Sequence, residues 1–574
     1  MFNASDYTDV LHQIEDFFNR STYPHSVLNG EPRIEENQAN QKANQKADNQ
    51  ANEPGNALAS GREAALLGDR LNISFPAQGK PLSALHRDIA TYLNHAVHTA
   101  HPSYCNQLWG GFSAAAFMAD MITSAANTSM YTYEVAPIAT LIEQALIAKM
   151  GQLVGFDNPG GQFTTGGSNG NLMAMAMARH QAIPHIKQAG LGDHPQLIAF
   201  VSQEAHYSFI KAAQLLGLGS QNLWKVPVDE YGQLRVSELK RLINLARGQG
   251  ALPFFVAGTA GTTVRGAYDP LEAIGAIARQ EKLWFHVDSA WGGGALLSTR
   301  HRAMLRGINQ ADSVVWDAHK MMGMTLVCSV LLTKQRGVMH SAFSATDTDY
   351  LFHEDEAEPT DLGPSTLHCG RRVDAVKLWL AWQHLGDEGW KKLIDQYFEL
   401  AERAEAIVRA HASLEMVFPR QSLNLCFRYV PTKTTGNEKP DSNALTLQIR
   451  QRLLKTGLAM VNYATLEGST FFRLVLCNNQ TSVVDIERFF KDVIETGRAI
   501  EQEGYVKTPD NKAAGEHIAT EDIATEETVT EAAVTEAAVT EETLAKETGA
   551  EQTEERHIPV KQLGESSYRK EKIT

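Results

Sequence analysis

Short apolar segments alternate with helical patterns through the middle of this 574-residue chain. The apolar segments are rich in β-branched and aromatic residues, which is typical of strands buried on both faces of a sheet. Helices between consecutive buried strands predict parallel βαβ units, and therefore an α/β layered domain. The predicted strands are 197–201, 254–257, 284–287, 314–316 and 329–332, and an apolar helix is predicted at 133–150.

A smaller α+β domain is predicted after Gly370. A long helical pattern follows that glycine and extends to about residue 410. Strand candidates at 423–429 and 471–476 then flank a further helical pattern. A mixture of this kind, without regular βαβ alternation, is typical of a separate α+β unit.

Both ends of the chain contain segments with unusual composition. Residues 36–59 have almost no large apolar side chains and cannot bury a core, so a disordered linker is predicted there. The motif TEAAV occurs twice in tandem at 530–539, within an acidic low-complexity tail. Before the linker, a short amphipathic helix is predicted, with an apolar side made of Val10, Leu11, Ile14, Phe17 and Phe18.

Composition excludes several classes of protein. Hydrophobic content of 43% and charged content of 21% are typical of a globular protein. The net charge of −15 argues against a general nucleic-acid binder. No apolar run is long enough for a membrane span, and the N-terminus lacks the features of a secretory signal. The five scattered cysteines indicate reduced, cytoplasmic usage and give no metal-ligand spacing.

Two motifs suggest cofactor chemistry at strand ends. In ADSVVWDAHKMMG, Lys320 follows a buried strand among aromatic, Met and His neighbours, where a lysine is suited to forming a Schiff base. In HVDSAWGGG, Asp288 ends another apolar strand, where a carboxylate is costly to bury unless it meets a cation. A lysine for an aldehyde and a carboxylate for a ring nitrogen are what pyridoxal phosphate requires. Taken alone, each also has an ordinary interpretation, as a surface lysine and as an aspartate that caps a turn.

Three further motifs contribute to the same hypothesis. The glycines of TTGGSNGN open a helical run, which is a suitable cup for a phosphate. His206, after the strand at 197–201, is placed where an imidazole can stack on a flat ring. The hydroxyl-rich stretch GTAGTT follows the strand at 254–257, at the edge where α/β sheets bind ligands. A turn, a cap or a core histidine would use the same residues, so the order of the motifs carries more weight than any single one.

With these motifs in this order, the chain resembles the group II pyridoxal-phosphate decarboxylases, and among them the glutamate and cysteine sulfinate decarboxylases. The resemblance covers roughly residues 82–495 and includes HPSYCNQL, NTSMYTYEVAP, FTTGGSNGNL, HYSFIKAA, HVDSAWGG, HCGRRVDAVKLWLAW and FFRLVLCN. It implies the aspartate-aminotransferase fold, with a mixed, mostly parallel sheet in the large domain and a small α+β C-terminal domain. It also implies pyridoxal 5'-phosphate as cofactor and an intertwined homodimer with active sites near the subunit interface.

The resemblance implies a division of the chain and a set of cofactor contacts. The divisions are an N-terminal segment with linker at 1–61, a dimer-wrapping segment at 62–130, the cofactor-binding domain at 131–375, the small domain at 376–505 and a disordered acidic tail at 506–574. The implied contacts are Ser168, Asn169 and Gly170 at the phosphate, His206 on the ring, Thr259 near the phenolic oxygen, Asp288 at the ring nitrogen, Ala290 against the ring, His319 beside the phosphate or ring, and Lys320 at the aldehyde.

The same resemblance suggests residues for catalysis and substrate binding. The segment TDTDYLFHEDE is similar to the family's mobile catalytic loop, which makes Tyr350 the expected proton donor to the substrate carbon. Gln107 and Arg473 match positions that contact acidic substrates, and an arginine in an apolar strand suits a bidentate carboxylate clamp. An internal ion pair is the alternative interpretation for Arg473.

The chain also differs from the family pattern. Many members have Asn-Pro before His-Lys, whereas this chain has Asp317-Ala318. A carboxylate beside the phosphate would repel it unless it points away or is protonated, so Asp317 is not predicted as a phosphate ligand. Ser or Ala is common where Gly170 stands, so one side-chain contact is expected to be lost.

Three pocket positions favour a short acidic substrate. Ser129 and Tyr131 are similar to the cysteine-sulfinate pattern, and Trp109 adds a bulky ring that should shorten the pocket. We therefore expect aspartate or cysteine sulfinate ahead of glutamate. The alternatives are glutamate decarboxylation, another pyridoxal-phosphate reaction such as diaminobutyrate or aromatic decarboxylation, and a catalytically silent scaffold. Arg473 and Gln107 argue against cationic and aromatic substrates, and the complete cofactor set argues against a scaffold.

Overall fold

The computed structural model describes residues 4–19, 67, 68, 71, 73–192, 194–346, 348, 350–352, 361–431 and 441–503. The chain divides into two compact units, Met1–Pro509 and Asp510–Thr574, and all of the described residues belong to the first. The linker predicted at 36–59 and the acidic tail predicted at 506–574 lie outside the described residues.

The larger sheet contains the strands that the sequence predicts. Its order is β2-β8-β7-β6-β5-β3-β4, with parallel pairing from β7 through β4 and antiparallel pairing of β8 with both β2 and β7. The mixed, mostly parallel sheet is therefore confirmed. The strands are β2 (Gly160–Thr164), β3 (Leu197–Ser202), β4 (Leu223–Val226), β5 (Leu252–Thr259), β6 (Trp284–Asp288), β7 (Ser313–Asp317) and β8 (Ser329–Thr333).

Both faces of this sheet are covered, which explains why its strands are continuous apolar runs. Alternate residues of a strand point to opposite faces, so neighbours enter different cores. Phe200 and Val314 lie in one hydrophobic cluster, whereas Ala199 and Val315 lie in another. At about 25 cal/mol per Å² of buried apolar surface, this two-sided burial is a large stabilising contribution.

A second sheet is formed mainly by the C-terminal part of the chain. Its order is β1-β11-β12-β10-β9, and a short N-terminal strand completes one edge by pairing in parallel with β11. The other pairs are antiparallel. The strands are β1 (Tyr104–Cys105), β9 (Leu414–Met416), β10 (Asn424–Tyr429), β11 (Met460–Leu466) and β12 (Ser469–Val475).

Helices fill the sequence between the strands. The helix predicted at 133–150 begins later, at Pro137, because proline suits the first helical turn, and it ends before Gly155 in a left-handed conformation. None of the described helices is long and apolar enough to cross a membrane. The helices are α1 (Ala4–Asn19), α2 (Leu85–His95), α3 (Ala114–Ala126), α4 (Pro137–Val154), α5 (Gly167–Ala182), α6 (Ile186–Ala189), α7 (Ser208–Leu215), α8 (Val236–Gly248), α9 (Leu271–Glu281), α10 (Val338–Phe343), α11 (Ala375–Ala410), α12 (Ser442–Thr456) and α13 (Val483–Glu503).

Candidate active site

Polar side chains meet at the carboxyl edge of the larger sheet. Thr259 ends β5, Asp288 ends β6 and Asp317 ends β7. Thr259 is in register with Asp288, and Asp288 with Val315. Because these strands are parallel, the three side chains lie at the edge where open α/β sheets bind ligands.

The Asp288 carboxylate is buried, with 6% of the residue exposed. Its Oδ2 accepts a hydrogen bond from Asn171 Nδ2 at 2.8 Å, and its Oδ1 accepts one from the N–H of Ala290 at 3.1 Å. The second contact shows that Asp288 also caps a turn, which was the ordinary interpretation of this residue from the sequence. Neither partner is charged, so the carboxylate keeps lone pairs for a cation such as a protonated ring nitrogen.

Lys320 lies one turn beyond β7 and pairs with Asp317. Its Nζ is 3.0 Å from Asp317 Oδ2, and its side chain remains 21% exposed, whereas that of Asp317 is 2% exposed. Burial by itself raises the pKa of Asp317, but Lys320, His319 and a hydrogen bond from Ser329 outweigh burial and lower it below its ordinary value. Asp317 therefore faces the lysine as a carboxylate, from the last residue of β7.

Two histidines flank this ion pair. His319 is buried, with Nδ1 2.9 Å from the Cys328 carbonyl oxygen and Nε2 3.7 Å from Asp317 Oδ2. Burial lowers the pKa of His319, and burial also lowers the pKa of His206, which feels the charges of Asp288 and Lys320. His206 Nδ1 accepts from the N–H of Ser208 at 3.3 Å, so its capping role is present as well.

The glycine turn forms a cup at the start of α5. Gly166 has φ of +128°, and no atom lies within 4 Å of the position that a Cβ would take there. The N–H groups of Asn169 and Gly170 already donate to the Gly166 carbonyl oxygen, at 3.0 and 3.1 Å. The helix start therefore offers the earlier N–H groups, of Gly167 and Ser168, to an anion.

The three residues predicted at the phosphate differ in their surroundings. Ser168 is exposed, and Asn169 has a buried Oδ1 without a hydrogen-bond partner among the described residues. Gly170 faces the sheet instead, because a Cβ there would lie 2.5 Å from Val315 Cγ2. Gly170 thus allows α5 to approach β7, and its role as a phosphate ligand stays a prediction.

Two more predicted ring contacts lie at the same edge. Thr259 is 3% exposed, and its hydroxyl oxygen is buried without a hydrogen-bond partner among the described residues. Its N–H donates to Asp269 Oδ2 at 2.7 Å, which fixes the strand end. The Cβ of Ala290 lies 3.1 Å from the position that a Cβ of Gly167 would take, so Ala290 packs against the cup.

Comparisons with known proteins agree with this geometry. The model of the pyridoxal-dependent decarboxylase conserved domain matches residues 66–430. The mouse (Mus musculus) cysteine sulfinic acid decarboxylase is 38% identical over 435 residues, which are 74% of this chain and 88% of that protein. This chain belongs to the pyridoxal-dependent decarboxylase family. It is therefore a pyridoxal-phosphate-dependent carboxy-lyase.

Other pyridoxal-dependent decarboxylases show similar agreement. The acidic amino acid decarboxylase GADL1 of Xenopus tropicalis is 35% identical over 445 residues, covering 76% of this chain and 87% of that protein. The crystal structure of mouse CSAD in apo form superimposes with a TM-score of 0.77 at 33% identity, covering 86% of this chain and 98% of that one. The aspartate-aminotransferase-like fold expected from the sequence is confirmed by these likenesses.

The side chains present fit the cofactor of this decarboxylase family. A phosphate suits the open cup at Gly166, and a phenolic oxygen suits the buried Thr259 hydroxyl, which has no hydrogen-bond partner within the described part of the chain. A protonated ring nitrogen suits the Asp288 carboxylate, and an aldehyde suits the partly exposed amine of Lys320. Thr259, Asp288 and Lys320 follow the neighbouring strands β5, β6 and β7, and the cup lies beside them, because the Cβ position of Gly167 is 2.8 Å from Asp317 Oδ2. The four features therefore match different parts of one flat ligand.

Arg473, the predicted substrate clamp, is buried in β12. It is 7% exposed, and its Nη2 donates to the Asn106 carbonyl oxygen at 3.1 Å and its Nη1 to that of Thr263 at 3.4 Å. Its Nε has no hydrogen-bond partner among the described residues. The guanidinium thus joins the N-terminal segment to the loop after β5, and none of the ion pairs found in the described part of the chain includes it.

The N-terminal segment brings two predicted substrate residues near this point. Gln107 is exposed and follows Asn106 directly, and Trp109 is half-buried with its ring 5.8 Å from that of Tyr104. Gly110 then approaches the turn after Lys320, because its carbonyl oxygen is 4.0 Å from the Cβ position of Gly323. The segment therefore extends between Arg473 and the lysine turn.

The remaining predicted residues lie in other surroundings. The Ser129 hydroxyl accepts a hydrogen bond from the N–H of Arg371 at 3.0 Å, so it joins its own segment to the backbone at Arg371. Tyr131 is half-buried, and its carbonyl oxygen accepts from the N–H of Gly363 at 2.9 Å. Tyr350 is 81% exposed, and most of its predicted loop lies outside the described residues. Roles for these three residues in the decarboxylase stay predictions.

Sequence reasoning missed the polar residues behind Asp288. Asn171 and His286 are fully buried and connected by a hydrogen bond of 2.9 Å. A signal for His286 was available, because it stands two positions before Asp288 and therefore on the same face of β6. Asn171 gave no such signal, since one polar residue within a helix is ordinary.

Proposed function

We propose that this decarboxylase removes the α-carboxylate of a short acidic L-amino acid, aspartate or cysteine sulfinate, with glutamate as the poorer substrate. The main supporting observation is Arg473, a buried guanidinium bonded to backbone carbonyls and to no carboxylate of the described residues. A buried cation without a counter-ion is costly, and an acidic substrate side chain would supply one. The names of the similar proteins, cysteine sulfinic acid and acidic amino acid decarboxylases, support the same class.

Each residue of the site has a distinct task in this proposal. The bound cofactor supplies an electron-withdrawing ring that takes up the electrons left when CO₂ departs. Asp288 accepts from the ring nitrogen and keeps its proton in place, while His206 and Ala290 hold the two ring faces. Lys320 provides the amine that would hold the aldehyde of the cofactor.

The acidic substrate is bound and protonated by residues outside the cofactor set. Arg473 and Gln107 bind its side-chain acid group, and Trp109 limits how far the pocket extends. Tyr350 delivers a proton to the substrate α-carbon after CO₂ has left. A tyrosine hydroxyl is a side-chain group that can act as a general acid in such a proton transfer.

The substrate assignment is tested by kcat/KM for aspartate, cysteine sulfinate and glutamate under identical conditions. We expect either short acid to exceed glutamate by about tenfold, which corresponds to about 1.4 kcal/mol of transition-state binding. Diaminobutyrate and an aromatic amino acid serve as controls and should react poorly. A tenfold preference for glutamate, or for either control, would contradict the proposal.

We also propose that the enzyme acts as a homodimer. Apolar side chains are exposed on α3 and α4, where Met118 is 50%, Ile122 is 57% and Ile138 is 69% exposed. Large exposed apolar patches mark interaction sites, and these helices supply apolar side chains for such a patch. Light scattering during size-exclusion chromatography tests this, and a monomer at micromolar concentration would contradict it.

A cytoplasmic location is the last part of the proposal. It is supported by the five free cysteines, of which Cys369 is exposed and the other four are buried. Unpaired thiols are typical of reducing compartments. Fractionation of cells that make the tagged protein tests the location.

A further inference from the structure

A buried hydrogen-bond chain leads away from Asp288 along the larger sheet. Asn171 Nδ2 donates to Asp288 Oδ2 at 2.8 Å, and Asn171 Oδ1 is 2.9 Å from His286 Nε2. His286 Nδ1 is 2.8 Å from Ser313 Oγ, which accepts from Trp284 Nε1 at 2.9 Å. Asn171, His286, Ser313 and Trp284 together are called the relay below.

The two ends of the relay fix the direction of every bond in it. An indole N–H can only donate, so Trp284 donates to Ser313. A carboxylate can only accept, so Asn171 must present its amide nitrogen to Asp288 and its oxygen to His286. His286 then donates from Nε2, and its Nδ1 accepts from the Ser313 hydroxyl. All hydrogens of the relay therefore point toward Asp288.

The charge state of His286 agrees with this direction. The ring is completely buried, and burial lowers the pKa of His286 to about 4, so the ring is neutral with one N–H. The charged or titratable groups around Asp288 are His286 on the relay side and, on the open side, His206, which also feels Lys320 and Asp317. A second N–H on His286 would leave the Ser313 hydroxyl without an acceptor for its hydrogen.

The backbone explains why these residues meet. Trp284, His286 and Asp288 alternate along β6 and so share one face of the sheet. Asn171 is placed by α5 above this face, and Ser313 begins the adjacent strand β7. Asn171 is 1% exposed and His286 and Ser313 are fully buried, so water does not compete for these bonds.

We propose that the relay residues are positioning residues for Asp288, which orient Asn171 so that the Asp288 carboxylate is held as an acceptor toward the cofactor ring nitrogen. The proposal rests on the assignment of Asp288 to that nitrogen. Asn171 Nδ2 also donates to Ser208 Oγ at 2.9 Å, so Asp288 and Ser208 hold the nitrogen while His286 holds the oxygen. If His286 no longer donates, the Asn171 oxygen is buried without this donor, the amide shifts, and the carboxylate loses a donor in a fixed position. The site would then distinguish less well between a ring with nitrogen and a ring with carbon at that position. The binding of the cofactor as a whole would not be weakened to the same extent.

The experiment compares two ligands without any amino-acid substrate. The dissociation constants of pyridoxal phosphate and of its analogue with carbon in place of the ring nitrogen are measured by absorbance titration. We expect wild type to prefer pyridoxal phosphate by about tenfold or more, because the analogue leaves Asp288 buried without its cation. In His286→Phe, this preference should fall by about fivefold or more.

Three other variants keep the result interpretable. His286→Gln retains an N–H donor toward Asn171 and should restore most of the preference. Ser313→Ala breaks the relay one bond further away and should have a smaller effect in the same direction, even if His286→Phe does not fold. Ser298→Ala is the matched control, because it also loses a buried serine hydrogen bond, to Asp395, but leaves the relay intact.

The outcomes separate the two assumptions. His286→Phe and Ser313→Ala could instead weaken the binding of both ligands equally and leave the preference for pyridoxal phosphate unchanged. That result would show a merely structural role for the relay and overturn the proposal. No preference in wild type would overturn the assignment of Asp288, and the relay proposal with it. Neither outcome depends on the identity of the substrate, since no amino acid is added.

Discussion

At the residue scale, the position of Lys320 determines how the cofactor is attached. Its amine lies 3.0 Å from Asp317 and is the exposed member of that pair. We predict that Lys320→Ala abolishes turnover and removes the absorbance band that bound pyridoxal phosphate gives near visible wavelengths. Lys211→Ala is the matched control, because Lys211 is exposed over the Tyr207 ring near the site. If Lys320→Ala keeps both turnover and the absorbance band, Lys320 does not attach the cofactor.

Asp317 adds negative charge below the phosphate cup. Its Oδ2 lies 2.8 Å from the Cβ position of Gly167, the first residue of α5, and its Oδ1 is buried without a hydrogen-bond partner among the described residues. We predict that Asp317→Asn binds pyridoxal phosphate more tightly, by about fivefold, because a neutral amide does not repel the phosphate. Pyridoxal, which has no phosphate, should not gain affinity, and an equal gain for both ligands would contradict the prediction.

His286 predicts a pH dependence of stability. Its pKa is about 4 in the folded protein and about 6.5 when unfolded, so the unfolded chain binds more protons between these values. Stability should therefore fall as pH decreases from about 6.5 to about 4, by up to about 3 kcal/mol from this residue. Urea unfolding at several pH values should show a shallower pH dependence for His286→Gln than for wild type. Parallel pH profiles would contradict the assignment.

At the element scale, the approach of α5 to β7 places the phosphate cup. Gly170 lies against Val315, where a Cβ would be only 2.5 Å from a methyl group. We predict that Gly170→Ala lowers the free energy of unfolding by about 1–3 kcal/mol and weakens cofactor binding, because the helix start is pushed away. Val315→Ala should partly rescue it by making room.

Gly248→Ala is the matched control for that substitution. Gly248 also lies in a helix, α8, but no atom is within 4 Å of its Cβ position. Alanine there should leave stability unchanged or raise it slightly, by about 0.5–1 kcal/mol. Equal losses in Gly170→Ala and Gly248→Ala would show that helix packing at Val315 is not the cause.

The sequence predicted these elements well but not their contacts. The five predicted strands of the larger sheet appear close to their predicted positions, because runs of β-branched and aromatic residues have few other stable arrangements. Two further strands of that sheet, β2 and β4, were not predicted. The helix expected from residue 133 starts at Pro137, because helix ends depend on caps that periodicity does not show. The packing of Gly170 on Val315 could not be read from either segment alone.

At the scale of the whole molecule, the exposed apolar side chains of α3 and α4 are the basis of the proposed dimer. We predict that Ile138→Lys shifts the protein toward monomer at low micromolar concentration, because a buried lysine without a partner is costly. Light scattering measures the shift. Val484→Lys, at an apolar residue of α13 that is 59% exposed, is the matched control and should remain dimeric. If Ile138→Lys leaves the dimer unaffected, the interface does not include Ile138.

The sequence by itself determined the α/β class, the order of the cofactor motifs and the decarboxylase family. These follow from local periodicity and from residue types at fixed spacing, which do not depend on how distant segments pack. The tertiary structure decided that Asp317 pairs with Lys320, that Arg473 is buried without a carboxylate partner among the described residues, and that a relay reaches Asp288. The contacts of Arg473 and of the relay join residues far apart in the chain, and only the packed arrangement of α5, β6, β7 and β12 sets their distances. Asp317 and Lys320 are only three residues apart, but their pairing depends on the turn that follows β7.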